Sequence, residues 1–142
     1  IAVTFVQDNQ STSKYGVVRG LHFQTGVHGQ AKLVRVVKGS ALDVVVDLRK
    51  GSPSFGKSFS IVLSGENKKQ LFVPRGFAHG FSVLEDDTVF AYKCDAYYNK
   101  ESERGIVYND ATLAIDWHLS SNAMIVSEKD LELPTFAAIK PE

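Results

Sequence analysis

The sequence predicts an all-β fold, a sandwich or barrel of antiparallel strands. Short apolar runs rich in Val, Ile and Phe recur through the middle of the chain, and Gly, Pro, Asn or Asp residues bound each run. Regularly spaced strands of this kind are typical of antiparallel sandwiches and barrels. With 142 residues, 44% of them hydrophobic, the chain is long enough for one sizeable core and too short for two ordinary domains. We therefore expect a single domain over residues 1–142.

Turn signals place the individual strands. Gly39 separates two apolar runs, Pro53 follows the longest run, and the acidic residues 85–87 separate the last two. The run Ala41–Leu48 is almost continuously apolar, which predicts a central strand covered on both faces. In chain order, the predicted strands are Lys32–Val37, Ala41–Leu48, Lys57–Leu63, Lys69–Val73, Phe81–Leu84 and Thr88–Tyr92.

The two ends of the chain carry weaker signals. The first residues, from Ile1 to Val6, indicate a strand at the very start. Near the other end, Ser127 and the charged residues 128–130 predict a capped helical turn that Pro134 ends. The predicted fold class is therefore all-β with a few short helices, mostly C-terminal.

Composition excludes several functional classes. The 16 basic and 16 acidic side chains cancel, and no Lys/Arg block provides a field for a nucleic-acid backbone. The single cysteine, Cys94, has no intrachain disulfide partner, and the chain shows neither a secretory apolar segment nor 18 consecutive apolar residues. We expect no nucleic-acid partner, no membrane association and a cytoplasmic location.

Two segments concentrate the chemically capable side chains, Arg19–Gln24 and Pro74–Phe81. In the second, Pro and Gly predict a tight turn after a strand, which would aim His79 at the interior. This Pro-x-Gly-x-x-His spacing resembles the second motif of the cupin superfamily. The region of the first cupin motif offers only His22, with His28 six positions on, whereas open metal sites usually have three protein ligands. We therefore expect no bound metal.

Further motifs extend the resemblance from about Phe5 to Asp130, in unchanged order. Taken together, they are similar to the dTDP-4-dehydrorhamnose 3,5-epimerases, which are metal-free cupin enzymes of deoxysugar nucleotide biosynthesis. The segments that carry the resemblance are Gln7-Asp8-Asn9, Arg19 to Gln24, Lys32 to Arg35, Asp43 to Arg49, Ser64 to Asn67, Pro74 to Phe81, and Tyr92-Lys93.

The resemblance implies a cupin-type double-stranded β-helix, or jelly-roll sandwich, and a cytoplasmic homodimer. It also implies a cofactor-independent isomerase that epimerises C3 and C5 of dTDP-4-dehydro-6-deoxy-D-glucose to dTDP-4-dehydro-L-rhamnose. This reaction belongs to dTDP-L-rhamnose biosynthesis for cell-surface polysaccharides. In the family, a segment preceding Gln7 contributes to the nucleotide site and to the dimer, and we expect this chain to lack it.

The resemblance also assigns catalytic roles. His22 is the implied general base, since imidazole titrates near neutrality. Asp130 is the implied carboxylate that orients it, and Tyr92 the implied acid that returns a proton from the other face. Lys32 is implied to stabilise the negative charge on the C4 oxygen.

Substrate contacts are implied for eight further residues. Arg19 is expected at the diphosphate, where a guanidinium matches phosphate oxygens, and Tyr98 is expected to stack on thymine. The others would contact the thymidine side, the sugar with its phosphate, or polar groups elsewhere on the substrate, and they are Gln7, Asp8, Asn9, His79, Glu103 and Lys129.

The residues taken singly allow plainer interpretations. His22 could be a hydrogen-bonded core histidine, and the two tyrosines could simply pack in strands. Lys32 and Arg19 could be solvated edge charges, and Asp130 could interact with the backbone of a helix start. Trp117 is interpreted as core packing.

Three functional alternatives also remain. One is an enzyme that epimerises a single carbon, or only isomerises a related keto sugar. The second is a non-catalytic cupin that binds a nucleotide sugar. The third is a metal-dependent cupin dioxygenase that uses His22, His28 and His79.

Overall fold

The computed structural model describes residues 1–142 and confirms the all-β prediction. The ten strands are β1 (Gln7–Ser13), β2 (Val17–Gln24), β3 (Lys32–Lys38), β4 (Ser40–Asp47), β5 (Ser58–Ser64), β6 (Gln70–Val73), β7 (Phe77–Val83), β8 (Thr88–Cys94), β9 (Glu103–Gly105) and β10 (Ile125–Val126). The helical elements are short: one α-helix, α1 (Glu128–Leu131), and 3₁₀ turns at Gly26–His28, Lys100–Ser102, Ser121–Ala123 and Phe136–Ala138. No helix is long and apolar enough to span a membrane.

The strands form two sheets that pack face to face. The first sheet has the order β1-β8-β3-β6, and all its neighbours are antiparallel. The second has the order β10-β2-β7-β4-β5, with β9 also paired to β2. Only β10 runs parallel to its neighbour β2. Strands distant in the sequence thus become neighbours, which gives the predicted jelly-roll sandwich.

Strand β4 is covered on both faces, as its apolar run predicts. On one face, Val45 packs with side chains of both sheets, including Phe90 of β8. On the other, Val44 packs against the C-terminal segment around Trp117, which is buried and donates a 2.9 Å hydrogen bond from Nε1 to the carbonyl of Tyr108. Alternate residues of a strand point to opposite faces, so one strand serves two cores.

The prediction for the N-terminus is wrong in detail. The residues from Ile1 to Val6 have no regular structure, and the first strand is the polar segment Gln7–Ser13. This segment pairs along its whole length with β8, beginning at Gln7 opposite Cys94. Apolar periodicity misses it, because pairing with a neighbouring strand rather than burial of apolar side chains defines the strand.

Strand β7 begins earlier than the apolar pattern indicates. The prediction starts it at Phe81, whereas the strand starts at Phe77, directly after the predicted turn at Pro74–Gly76. Gly76 has a φ of +88°, a conformation that favours glycine and ends the turn. His79 therefore lies within a strand that starts at this turn.

Gly20 of β2 and Gly80 of β7 let these two strands approach closely. Gly20 has a φ of +104°, and a Cβ at this position would lie 2.7 Å from the carbonyl oxygen of His79 and 2.8 Å from Cα of Gly80. The register between the two strands shifts between Arg19 and His22. Because of this shift, Arg19 and His22 can both line the same cavity, although strict alternation would turn them to opposite faces of the sheet.

A buried carboxylate anchors the loop after β4. Asp47 accepts hydrogen bonds from Nε and Nη2 of Arg49, both at 2.9 Å, and from the hydroxyls of Ser52 and Ser54. The hydrogen bond from Arg49 is the main cause that lowers the pKa of the Asp47 carboxyl far below its usual range. These hydrogen bonds hold residues 49–54 of the loop at the end of β4.

Candidate active site

Two adjoining cavities lie beside the inner face of the four-stranded sheet. The larger, of about 490 Å³, extends to β10 and α1, and the smaller, of about 130 Å³, extends to β1 and β9. His22, Lys32 and Tyr92 line both cavities. The two cavities therefore form one groove with these three side chains at its middle.

His22 forms a close pair with Asp130. Nε2 of His22 lies 2.7 Å from Oδ1 of Asp130, and the two side chains are 29% and 6% exposed. The second carboxylate oxygen accepts a 3.0 Å hydrogen bond from the backbone N–H of Gly20. Burial acts to raise the pKa of the Asp130 carboxyl, but the hydrogen bonds from His22 and Gly20 outweigh burial and lower it. Asp130 is therefore a carboxylate near neutral pH.

Helix α1 delivers Asp130 to this position. Ser127 caps the helix, as predicted, by accepting a 3.2 Å hydrogen bond from the backbone N–H of Asp130. The carboxylate itself does not bond the helix backbone, and it reaches across to β2 instead. The interpretation of Asp130 as a helix-start carboxylate therefore does not describe its contacts.

A second histidine–carboxylate pair lies on the neighbouring strands. Nε2 of His79 on β7 lies 2.6 Å from Oδ1 of Asp43 on β4, and the side chains are 7% and 0% exposed. His79 also stacks on Phe90, with ring centroids 6.1 Å apart. His22 and His79 are direct Cα partners between β2 and β7. The two imidazoles thus enter the same cavity from adjacent strands.

Lys32 and Tyr92 face the histidines from the opposite sheet. They lie on the antiparallel neighbours β3 and β8, and Nζ of Lys32 is 5.5 Å from the centre of the Tyr92 ring. Burial is the main cause that lowers the pKa of Lys32, and the nearby Cys94, Asp43 and Glu103 partly oppose it. Burial also raises the pKa of the Tyr92 phenol, partly offset by Arg19. The phenol therefore keeps its proton at neutral pH.

The smaller cavity collects most of the residues expected at the thymidine side. Gln7, Asn9, Tyr98 and Glu103 line it. Gln7 links them, since its Oε1 accepts a 2.9 Å hydrogen bond from the backbone N–H of Tyr98 and its Nε2 donates a 2.7 Å bond to Asn9. Lys129 lines the larger cavity and forms a 2.6 Å ion pair with Glu103, which connects the two ends of the groove.

Of the twelve predicted site residues, Asp8 alone lines neither cavity. It lies on β1 between Gln7 and Asn9, and alternation turns its side chain to the outer face. There it is 74% exposed and forms a 2.8 Å ion pair with Lys93. Arg19, by contrast, lines the larger cavity as predicted. Asp8 is therefore not part of the groove.

The three histidines of the metal hypothesis are not brought together. His28 is exposed on the 3₁₀ turn Gly26–His28 and lines neither cavity. No group of three or more His, Cys, Asp or Glu side chains could hold a metal ion. The described side chains thus do not support the dioxygenase hypothesis.

Sequence reasoning missed Asp43 as a site residue. A carboxylate inside the almost continuous apolar run Ala41–Leu48 is the signal that could have found it, because an ionised side chain is rarely buried without a partner. The partner, His79, lies 36 residues away on the adjacent strand. Spacing along the chain does not reveal such a pair.

The arrangement suits proton transfer at a carbon next to a carbonyl. A carboxylate-bound imidazole faces the groove from one sheet, and the Tyr92 phenol and the amino group of Lys32 face it from the other. A substrate held between the sheets would have a base on one side and an acid on the other. The types of side chain and their positions on opposite sides of the groove therefore both suit proton transfer.

Comparisons with known proteins agree with this interpretation. The family model described as dTDP-4-dehydrorhamnose 3,5-epimerase matches residues 1–138. A relative in Escherichia coli (strain K12) named dTDP-4-dehydrorhamnose 3,5-epimerase is 53% identical over 133 residues, which are 94% of this chain and 71% of that protein.

Solved structures give the same result. The crystal structure of the dTDP-4-dehydrorhamnose 3,5-epimerase from Elizabethkingia anophelis NUHP1 superposes with a TM-score of 0.93 at 57% identity, covering 94% of this chain and 73% of that one. A dTDP-6-deoxy-D-glucose-3,5-epimerase from Legionella pneumophila Philadelphia 1, in complex with dTDP-4-keto-L-rhamnose, also has a TM-score of 0.93, at 50% identity. That match covers 99% of this chain and 73% of that one.

Proposed function

The chain belongs to the dTDP-4-dehydrorhamnose 3,5-epimerase family and is an epimerase of dTDP-L-rhamnose biosynthesis, and from this premise we propose how its groove carries out the reaction. The substrate is dTDP-4-dehydro-6-deoxy-D-glucose and the product dTDP-4-dehydro-L-rhamnose. The proposed mechanism is proton transfer through an enolate. The observation that carries it is the placement of the His22–Asp130 pair opposite Tyr92 and Lys32 across one groove.

Each epimerisation requires three operations on the sugar. A base removes the proton from C3 or C5, next to the C4 ketone, and the electron pair of that C–H bond forms the enolate. The negative charge on the C4 oxygen must be stabilised. A proton is then returned to the same carbon from the opposite face, which inverts it. Base and acid must therefore lie on opposite sides of the ring.

His22 is the proposed base. Its Nε2 is bonded to Asp130, so in the neutral ring the proton lies on Nε2 and the lone pair on Nδ1. Nδ1 makes no hydrogen bond within the chain and is the atom that accepts the carbon-bound proton. Asp130 fixes this tautomer and stabilises the imidazolium that forms.

Tyr92 is the proposed acid. It lies on β8 in the four-stranded sheet, whereas His22 lies on β2 in the facing sheet, so the two can act on opposite faces of one ring. Its raised pKa keeps the phenol protonated and able to donate. Lys32, beside the Tyr92 ring, is the proposed partner of the C4 oxygen.

The remaining groove residues are proposed to hold the nucleotide and sugar. Arg19 would bind the diphosphate with its guanidinium, and Tyr98 would stack on thymine. The further contacts, at the thymidine side, the sugar and the groove wall, are assigned to Gln7, Asn9, His79, Glu103 and Lys129. Asp8 is left out of this site because its side chain faces away from the groove.

Solvent isotope labelling tests the double epimerisation. The protein is incubated with dTDP-4-dehydro-6-deoxy-D-glucose in deuterium oxide, and the sugar is followed by proton NMR. Deuterium at both C3 and C5 is expected, because Tyr92 exchanges its proton with solvent between turnovers. Label at a single carbon would replace the proposal with a single-carbon epimerase. Binding without any label would support a non-catalytic nucleotide-sugar-binding protein.

A homodimer and a cytoplasmic location also belong to the proposal. Strand β5 ends the second sheet, so its unpaired edge can accept a strand of a second copy. Cys94 is buried and unpaired, which fits a reducing compartment. Analytical ultracentrifugation should give twice the 15.6 kDa chain mass, and the mass of a monomer would contradict the dimer.

A further inference from the structure

Asp43 is the most completely buried acidic side chain next to the groove. Its side chain is fully buried on β4, and its only side-chain hydrogen bond joins Oδ1 to Nε2 of His79 at 2.6 Å. Its other oxygen, Oδ2, is buried without a hydrogen-bond partner. Burying a carboxylate with one oxygen unpaired costs free energy of folding, which suggests that this charge serves a function.

Lys32 is the charged neighbour of the pair, since Asp43 attracts its positive charge, and the side chains packed against the pair are mainly apolar. Val45 follows on the same face of β4, and Phe90 stacks on the imidazole from the opposite sheet. The ring of His79 is thus held between an aromatic side chain and a carboxylate, and it can rotate little without breaking the 2.6 Å bond. The loss of this single bond would free both the position and the tautomer of the ring.

We propose that Asp43 is a positioning residue of the active site, which holds the proton of His79 on Nε2 and so presents Nδ1 to the substrate as a hydrogen-bond acceptor. Nδ1 makes no hydrogen bond within the chain, and His79 lines the larger cavity. The inference rests on the proposed function only for the identity of the ligand.

The assigned tautomer selects the chemical group that His79 recognises. An unprotonated ring nitrogen accepts a hydrogen bond and cannot donate one. A sugar hydroxyl can donate such a bond, whereas a diphosphate oxygen and the C4 carbonyl cannot. His79 therefore contacts a hydroxyl of the sugar, and the diphosphate is left to Arg19.

The two histidine–carboxylate pairs differ in how much of each imidazole is exposed. His22 is 29% exposed and touches the groove widely, whereas His79 is 7% exposed and reaches it with one edge. Both carboxylates hold the proton on Nε2, so both rings offer Nδ1. His22 acts on the carbon-bound protons of the sugar, and His79 orients the sugar ring.

Nitrogen-15 NMR of the intact protein tests the tautomer without any variant. With ring-labelled histidine at neutral pH, we expect His79 to show a protonated Nε2 and an unprotonated Nδ1. A proton on Nδ1 of the neutral ring would overturn the proposal. In Asp43→Asn the preference should weaken to a mixture of tautomers. An unchanged His79 spectrum in that variant would also overturn it.

Ligand binding tests the assigned contact independently of catalysis. The probes are dTDP-glucose, which carries sugar hydroxyls, and dTDP, which carries the diphosphate alone. Both Asp43→Asn and His79→Ala should weaken dTDP-glucose binding by about tenfold, the usual worth of one hydrogen bond, and leave dTDP binding unchanged. Equal weakening for both probes would place the contact at the phosphates and overturn the assignment.

A double-mutant cycle separates positioning from general destabilisation. If Asp43 acts through His79, Asp43→Asn should add little to the loss already caused by His79→Ala, whereas independent structural damage would add in full. Asp47→Asn is the matched control, because Asp47 is a buried carboxylate of the same strand that lines neither cavity. It should leave the His79 spectrum and both affinities unchanged. If the chain lacks epimerase activity, these measurements still decide the role of Asp43.

Discussion

Nε2 of His22 lies 2.7 Å from Oδ1 of Asp130, although the two residues are 108 positions apart in the chain. Strand β2 carries the histidine, and the four-residue helix α1 carries the carboxylate. A backbone N–H of β2, that of Gly20, holds the second carboxylate oxygen at 3.0 Å. Asp130 is thus bound at both oxygens, and the imidazole has a fixed orientation toward the groove.

Replacing His22, the proposed base, should reduce turnover strongly while the fold survives. His22 is partly exposed, so His22→Ala removes few packing contacts. We expect kcat to fall by about 10²–10⁴-fold, the usual contribution of a positioned general base. A coupled assay for the epimerised product measures the loss, and circular dichroism checks the fold. Wild-type turnover in this variant would exclude His22 as the base.

Replacing Asp130, the carboxylate proposed to orient the base, should reduce kcat more than it weakens binding. In Asp130→Asn, the amide no longer stabilises the imidazolium, so kcat should fall on the order of 10²-fold or more. The affinity for dTDP, measured by calorimetry, should change little, because Asp130 is not assigned to the nucleotide. A large loss of dTDP affinity with normal kcat would contradict the assigned role.

Replacing Tyr92, the proposed acid, should separate proton removal from inversion. In Tyr92→Phe, His22 can still remove and return a proton on its own face, so exchange with deuterium oxide should continue while epimerised product falls by about 10²–10⁴-fold. Proton NMR follows both events in one sample. Tyr15→Phe is the matched control, and it should leave inversion intact because Tyr15 is exposed and lines neither cavity. Loss of exchange together with inversion would assign Tyr92 a different role.

Lys32 should limit activity at alkaline pH. Burial lowers the pKa of its ammonium group, whereas burial raises the pKa of Tyr92. As pH rises, loss of the Lys32 proton removes the charge that we propose stabilises the enolate. Lys32→Arg keeps a positive charge at all accessible pH values. The alkaline limb of the kcat profile should therefore move to higher pH in this variant, and an unchanged limb would exclude Lys32 as its cause.

Asp47 should make stability depend on acid pH. Its pKa in the folded chain is far below the ordinary value of 3.8, mainly through Arg49. A lowered folded pKa means that the stabilisation is complete above the unfolded pKa, near 4, and is lost as pH falls toward the folded pKa. The melting temperature should fall below about pH 4, and Asp47→Asn should lower it at pH 7 and flatten the acid dependence. An identical acid slope in the variant would contradict this origin.

Runs of apolar side chains predict the strands that are buried in the two cores. The run Ala41–Leu48 predicts a two-sided strand, and β4 is that strand because cores pack on both of its faces. Apolar patterns do not predict the polar strand Gln7–Ser13, because hydrogen bonds to β8 define it rather than apolar side chains. The family resemblance assigns Asp8 to the site, but the alternation of β1 turns its side chain outward.

The sequence by itself determined the family, the all-β class and the identity of most groove residues. These follow from local motifs, turn residues and apolar patterns, which a single chain displays directly. Only the tertiary structure decided which side chains meet. The register shift at Gly20 brings Arg19 and His22 to one face, helix α1 brings Asp130 to His22, and neighbouring strands bring Asp43 to His79. Such contacts depend on strand register and on close backbone approach, which neither spacing nor composition encodes.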